Sequence, residues 1–302
     1  MKGKLIEVRG KKLYVEIHGE ENTNAVLYLH GGPGESCYDF SYHQARKLSE
    51  SMKLILIDQR GVCRSDRIID TEVFGLDDII QDCEVLRKQL GIKHWSLIGH
   101  SFGGFIALKY VHLFPSSIEK IIFEGPTFDF KLTSIGLLNK TAKIAEKYAN
   151  YGLKNKCISV VENVKSTQEL ELAFHDLSSQ LGEHRMEIYT YNFNNPTDYS
   201  LYSQEEWDQF DYNAEIHYNR LKDEGDIYKS LIPILSEIET PMLLLLGQHD
   251  PVTCEKQIEA FNNNGKNRMV YVFENSGHTP HYEEANVFTN VVVDYINTKV
   301  NE

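Results

Sequence analysis

Three side chains in this sequence can together turn a weak hydroxyl into a nucleophile. Ser101 stands in Gly99-His100-Ser101-Phe102-Gly103. Small residues on both sides permit a sharp strand-to-helix turn, which lifts the hydroxyl above a sheet at a helix N-terminus that favours negative charge. A serine hydroxyl still needs a base, and the base needs a carboxylate to orient it. Asp250, in Gly247-Gln248-His249-Asp250, and His278, in Ser276-Gly277-His278, follow the serine in the chain order Ser, Asp, His. The chemistry expected is acyl transfer, with Ser101 attacking, His278 moving the proton and Asp250 holding His278. His281 is a competing base, and His278-x-x-His281 resembles metal spacing. No third ligand cluster accompanies the pair, so no metal is expected. His281 falls at the start of the last helix, which favours His278 as the base. His100 is expected to shape the turn.

A tetrahedral intermediate needs donors for its oxyanion. The Phe102 amide, next to the nucleophile, is one candidate. The other is expected from Gly31-Gly32-Pro33-Gly34, with the Gly32 amide favoured and Gly31 second.

These residues need a scaffold that brings the ends of several strands together. Residues 4–9 and 12–18 read as a hairpin. Ala25-Val26-Leu27-Tyr28-Leu29 is a continuous apolar run, as expected of a strand buried on both faces. Strands at 54–57, 95–98 and 121–123 then alternate with helical stretches at 76–90 and 102–113. The alternation predicts an α/β fold, with a mostly parallel central sheet and helices on both faces. From 127 to 235 no buried strand is read, only helical segments and polar loops rich in Tyr, Phe and Trp. Strands resume at 242–246 and 269–273, and a helix is read from about 282 to 298. Residues 1–126 and 236–302 are therefore assigned to the core, and 127–235 to a mainly helical cap. Asp250 and His278 follow strands, on the sheet edge where Ser101 should lie.

Length and charge remove other classes. The chain of 302 residues suits one α/β domain with an insertion. A formal net charge of −13 opposes binding to nucleic acid or anionic lipid. The five cysteines, at 37, 63, 83, 157 and 254, show no metal-knuckle spacing and are expected to be reduced thiols. The N-terminus lacks an apolar leader, and no apolar run approaches the roughly 18 residues of a membrane span. A cytoplasmic monomer or small homo-oligomer is expected. No GxGxxG follows the first buried strand, so no dinucleotide cofactor is expected.

The set His30-Gly31-Gly32-Pro33-Gly34, Asp58-Gln59-Arg60-Gly61 with Arg64-Ser65, and the serine turn resembles the proline iminopeptidase branch of the α/β-hydrolase superfamily. The resemblance covers roughly residues 20–126 and 238–298. It implies a helical cap, a cytoplasmic serine aminopeptidase and no metal, with Ser101, Asp250 and His278 as triad and Gly32 and Phe102 as oxyanion donors. The sequence also departs from that branch. Its turn reads Gly-His-Ser-Phe-Gly-Gly, the wording of general esterases, and Pro251 stands where one branch places an acid. Asp58 and Arg60 are expected to be structural.

An aminopeptidase must bind a substrate ammonium with carboxylates. The acidic run at 203–226 offers Glu205, Glu206 and Glu215 as candidates. Two substrate classes remain open: a short peptide cleaved at its N-terminus, or a small ester, lactone or amide. A non-hydrolytic ligand receptor is a third possibility, which the complete triad argues against.

Overall fold

A computed structural model describes residues 3–69, 71–263 and 267–298. The chain opens with a hairpin of β1 (Lys4–Val8) and β2 (Lys11–His18), then β3 (Ala25–Leu29), α1 (Tyr38–Leu48), β4 (Lys53–Ile57) and α2 (Leu76–Gln89). β5 (Trp95–His100) leads directly into α3 (Phe102–Leu113), and β6 (Ile118–Glu124) follows. Next come the helices α4 (Phe130–Lys147), α5 (Tyr151–Asn163), α6 (Thr167–Ser179) and α7 (Gln204–Glu224). The chain closes with β7 (Met242–Gly247), α8 (Glu255–Asn263), β8 (Arg268–Phe273), the short α9 (Pro280–Glu283) and α10 (Ala285–Asn297).

The strands form one sheet in the order β1-β2-β4-β3-β5-β6-β7-β8. β1 and β2 pair antiparallel with each other, and β2 pairs antiparallel with β4. All other pairings, from β4 through β3 to β8, are parallel. β3, β4 and β7 are largely apolar without alternation because both sheet faces are covered. Leu27, Leu29, Ile55, Leu97 and Leu244 pack with Ile80 and Leu86 of α2 and Phe105 of α3. Val26, Tyr28, Leu54, Ile98 and Leu243 point the other way, onto Phe40 of α1 and Phe288 and Val292 of α10. Buried Lys120 of β6 donates to the carbonyls of Tyr295 and Ile296, placing a cation at the C-terminus of α10 where the helix dipole favours one.

After β3 the chain passes to β4 on one side, and after β4 it crosses to β5 on the other. The crevice for a ligand in such a sheet opens at the C-terminal ends of the strands where this reversal occurs. Here those ends are Leu29 and His100, followed by the Gly31–Gly34 loop and Ser101.

Between β6 and β7 the described residues form helices and loops, with no strand. Leu138, Ala145, Leu153, Leu170 and Phe174 of α4 to α6 form a separate apolar cluster. Leu221, Ile227, Leu231 and Leu235 instead join the main core, so the end of this segment is packed into the body that carries the sheet. The aromatic run knits the two together: Tyr199 and Trp207 lie against Tyr38 of α1, with ring centroids 5.5 Å away in each case. All five cysteines are free. No described helix is long and apolar enough to cross a membrane.

Candidate active site

Ser101 is placed by strain and by close packing. Its φ is +54°, in the left-handed region that non-glycine residues avoid. The conformation is held on both sides of the residue. Its amide donates to the Glu124 carbonyl (2.9 Å), and its carbonyl accepts from Gly104 (2.9 Å) and Thr127 (3.2 Å). The turn can close this tightly because Gly103 lies against β3, where an added Cβ would stand 2.0 Å from the Leu29 carbonyl oxygen.

His278 and Asp250 come from the loops after β8 and β7. His278 Nδ1 is 3.1 Å from Asp250 Oδ1, which also accepts from the Val252 amide at 2.8 Å. This fixes the tautomer: Nδ1 carries the proton, and Nε2 is free to accept one. Burial pulls the His278 imidazole toward the neutral form, but Asp250 opposes it, aided by Glu35 and Glu124. The net effect raises its pKa above the ordinary value of 6.5. Gly125, directly after β6, closes the arrangement: a Cβ there would meet Asp250 Oδ2 and His278 Nδ1, each at 2.8 Å. Ser101, Asp250 and His278 thus follow the C-terminal ends of β5, β7 and β8, with Gly125 against the last two side chains. Among the described residues no hydrogen bond joins Ser101 Oγ to His278. Such contacts are often long in unliganded sites and tighten on the reacting complex.

Phe102 is the first residue of α3, where a helix leaves amides unpaired. Across from it, Gly31 packs on the nucleophile, its would-be Cβ 3.0 Å from Ser101 Cβ. Neither the Gly31 nor the Gly32 amide donates a hydrogen bond among the described residues. The loop carrying them is braced from below. Gln59 donates its amide to His30 Nε2 (3.0 Å) and its side-chain nitrogen to the His30 carbonyl (3.1 Å). Fully buried Asp58 accepts from the Cys37 amide and from Arg64 Nε and Nη2. Arg60 is directed away, to Asp82 and Glu72. The Asp58-Gln59-Arg60-Gly61 segment is therefore structural: it holds the glycine loop in place.

The segment between β6 and β7 reaches the site at two points. The Tyr189 carbonyl accepts from the His278 amide at 2.6 Å, and α7 passes over Gly34 at Ala214. The three cap glutamates named from the sequence are not drawn in. Glu206 is used in a capping box with Ser203 at the start of α7. Glu205 and Glu215 are exposed, on the α7 face away from buried Asn213, His217 and Leu221. No described contact links any of the three to the residues round Ser101.

Sequence reasoning missed a buried polar group beside His100 and His278. His281 Nδ1 is 2.9 Å from Glu124 Oε1, and His281 Nε2 is 2.7 Å from Asp39 Oδ2. Glu124 Oε2 lies 3.3 Å from His100 Nδ1. The sequence showed no third ligand beside His278 and His281, yet the fold brings His100, Glu124 and His281 together, with ligand-type atoms within 4.8 Å of one another. Both ring nitrogens of His281 are engaged by carboxylates, so neither is open to an ion. The only sequence signal was Glu124 itself, a carboxylate ending an apolar strand.

A strained serine, a histidine–aspartate pair and a glycine loop at the reversal of a parallel sheet define a hydrolase of the α/β class. The profile of the alpha/beta hydrolase fold family matches residues 24–285, and the chain belongs to that family. It resembles proline iminopeptidases: that of Heyndrickxia coagulans is 28% identical over 305 aligned residues, covering 97% of this chain and 98% of the relative. Among solved structures, a proline iminopeptidase-related protein from Thermus thermophilus superposes with a TM-score of 0.70 at 21% identity, covering 97% of each chain. An esterase from Exiguobacterium antarcticum superposes with a TM-score of 0.65 at 22% identity, covering 99% of this chain and all of that one. At these identities the structural matches speak for the fold alone.

Proposed function

We propose that the protein is a serine hydrolase working through an acyl-enzyme, and that its substrates are short peptides from which it releases an N-terminal residue, proline foremost. The observation that carries the serine mechanism is the Asp250–His278 pair at 3.1 Å, set beside the residue that follows Glu124, whose carbonyl holds the Ser101 amide. In this mechanism His278 Nε2 takes the Ser101 proton as Oγ attacks the carbonyl. The resulting imidazolium is balanced by Asp250 and then protonates the leaving amine. The Phe102 amide and the Gly32 amide, with Gly31 as alternative, serve the oxyanion. Water repeats the sequence to release the acid.

The peptidase reading rests on the full-length similarity to proline iminopeptidases and on the His30–Gly34 and Asp58–Gly61 motifs. Such a substrate carries an ammonium group, whose desolvation calls for an anionic partner. Exposed Glu35 follows the glycine loop directly, and its charge acts on His278. It is better placed for that role than Glu205, Glu206 or Glu215. A second reading, an esterase, lactonase or amidase for a small substrate, is favoured by the esterase-type wording of the turn and by Pro251.

Parallel turnover of prolyl-β-naphthylamide and p-nitrophenyl acetate separates the two. Faster use of the amide, lost in Ser101→Ala, supports the peptidase. Cleavage of the ester alone supports the second reading. Failure of a fluorophosphonate to label Ser101 would remove both.

A further inference from the structure

We infer that Asp39, His281 and Glu124 form a buried charged clamp that positions the catalytic imidazole through His100, with a fixed imidazolium between two carboxylates and the remaining negative charge directed at the tilted His100–His278 ring pair. The inference rests on the proposed role of His278 as base.

The charge state of His281 follows from its contacts. A neutral imidazole has one donor nitrogen and one acceptor nitrogen, so one carboxylate would face a lone pair. Glu124 and Asp39 bond to different ring nitrogens, at 2.9 and 2.7 Å. Their contacts with His281 hold both carboxyls below the usual range, so both are ionised, and both bonds then form only when both nitrogens carry protons. The His281 amide adds a third bond, to Glu124 Oε1 at 2.8 Å. One cation between two anions leaves the trio with a net charge of −1.

The surplus is aimed. Glu124 Oε1 is taken up by His281, whereas Oε2 has no hydrogen bond and lies 3.3 Å from His100 Nδ1, which also has none. Two buried polar atoms left unpaired and facing each other call for an explanation. The His100 ring is tilted against that of His278, with centroids 4.7 Å apart, and against that of His281 at 5.3 Å. Glu124 also holds the nucleophile, since its carbonyl accepts from the Ser101 amide. One residue thus fixes the strained turn through its backbone and presents a charge behind the base through its side chain. When His278 takes the serine proton it becomes a buried cation, and a carboxylate behind it lowers the energy of that state.

The other groups around the clamp are accounted for. Asp39 also meets Thr197 and His43. Tyr28 and Tyr282 feel its charge, and Tyr28 that of Glu124 as well. His278 is faced by Asp250, Glu35, Glu124 and His100, with the Tyr189 ring 5.8 Å from its own.

The test is Glu124→Gln, which keeps the shape and lets the amide oxygen accept from His281 while the amide nitrogen faces His100. Histidine ring nitrogens are followed by NMR across pH 5–9, with p-nitrophenyl acetate rates alongside. Wild-type His281 should show two ring N–H signals at pH 7. In the variant the His278 midpoint should fall by about half a unit or more, and kcat by about threefold or more with KM nearly constant. Asp39→Asn, at the far end of the clamp, should lower the midpoint by less. A single ring N–H on wild-type His281, or an unmoved His278 midpoint in a folded Glu124→Gln, would overturn the inference. If Glu124→Gln does not fold, an unmoved midpoint in Asp39→Asn overturns it. The NMR readout holds even if Ser101→Ala remains active and the triad reading falls.

Discussion

Gly125 lies against the contact between His278 and Asp250: an added Cβ would stand 2.8 Å from His278 Nδ1 and 2.8 Å from Asp250 Oδ2. The loop after β6 therefore sets the spacing of a pair contributed by the loops after β7 and β8. Gly125 is also at φ +49°, where a side chain is strained. Gly125→Ala should displace the imidazole, lowering kcat on the order of 10²-fold, the scale of a misplacement near 1 Å. A lowered Tm should accompany it. Wild-type kcat in this variant would mean that the pair tolerates movement and is not the working base.

Ser101→Ala tests the nucleophile with little change of volume. Turnover should drop on the order of 10³-fold or more, and the fluorophosphonate adduct should disappear from the intact mass. Retention of more than a few per cent of the wild-type rate would remove Ser101 from the mechanism.

Much of this arrangement could be read from the chain because it rests on local pattern. β3 and β7 are apolar throughout, and β5 is so except for Ser96 and His100, since both faces are covered, and the residues proposed for the chemistry follow each of them. β8 looks the same in sequence, yet it is the edge strand, and Met269 and Val272 are 58% and 43% exposed. Apolar content cannot report which strand lacks a neighbour. The cap helices carried start signals in Asp129, Asn150, Ser166 and Ser203, each accepting from a backbone amide in its first turn. The same logic removes Glu206 from the substrate: Ser203 and Glu206 are a capping box, a local role that a count of carboxylates hides. His281 was readable only as spacing, because its partners Glu124 and Asp39 lie 157 and 242 residues away in the chain. Long-range charge pairing leaves no periodic trace.

The base should titrate above the ordinary histidine value. Burial alone would lower the His278 pKa, but Asp250, Glu35 and Glu124 outweigh it. Since the base must be neutral to accept the serine proton, kcat/KM should rise with pH through a midpoint above 6.5 and level off beyond it. A midpoint well below 6.5 would show that desolvation dominates, contrary to the geometry.

His281 should make stability depend on alkaline pH. Its pKa is raised to about 10: burial opposes the charge, and Glu124 and Asp39 more than restore it. A group whose folded pKa exceeds its unfolded value stabilises fully below the unfolded value, near 6.5. That contribution falls away as pH rises toward about 10. Thermal melts of the wild type should lose Tm between those limits, and His281→Gln should be less stable at pH 7 with a flatter decline. Parallel declines in both proteins would mean that His281 is neutral when folded.

The last prediction concerns the substrate amine. Glu35 is exposed beside the glycine loop and acts on His278, so an ammonium bound there would pair with its carboxylate at the mouth of the site. Glu35→Gln should weaken kcat/KM for prolyl-β-naphthylamide about 10-fold or more, the size set by a charge-assisted hydrogen bond of roughly 1.5–3 kcal/mol. Hydrolysis of p-nitrophenyl acetate makes no such contact and should change far less. Glu205→Gln and Glu215→Gln, on the outer face of α7, should leave both substrates nearly unaffected. Acetylating the substrate nitrogen removes the positive charge and should abolish cleavage by the wild type. If the acetylated amide is cleaved as fast as the free one, no carboxylate reads the amine, and the protein is an esterase or amidase rather than an aminopeptidase.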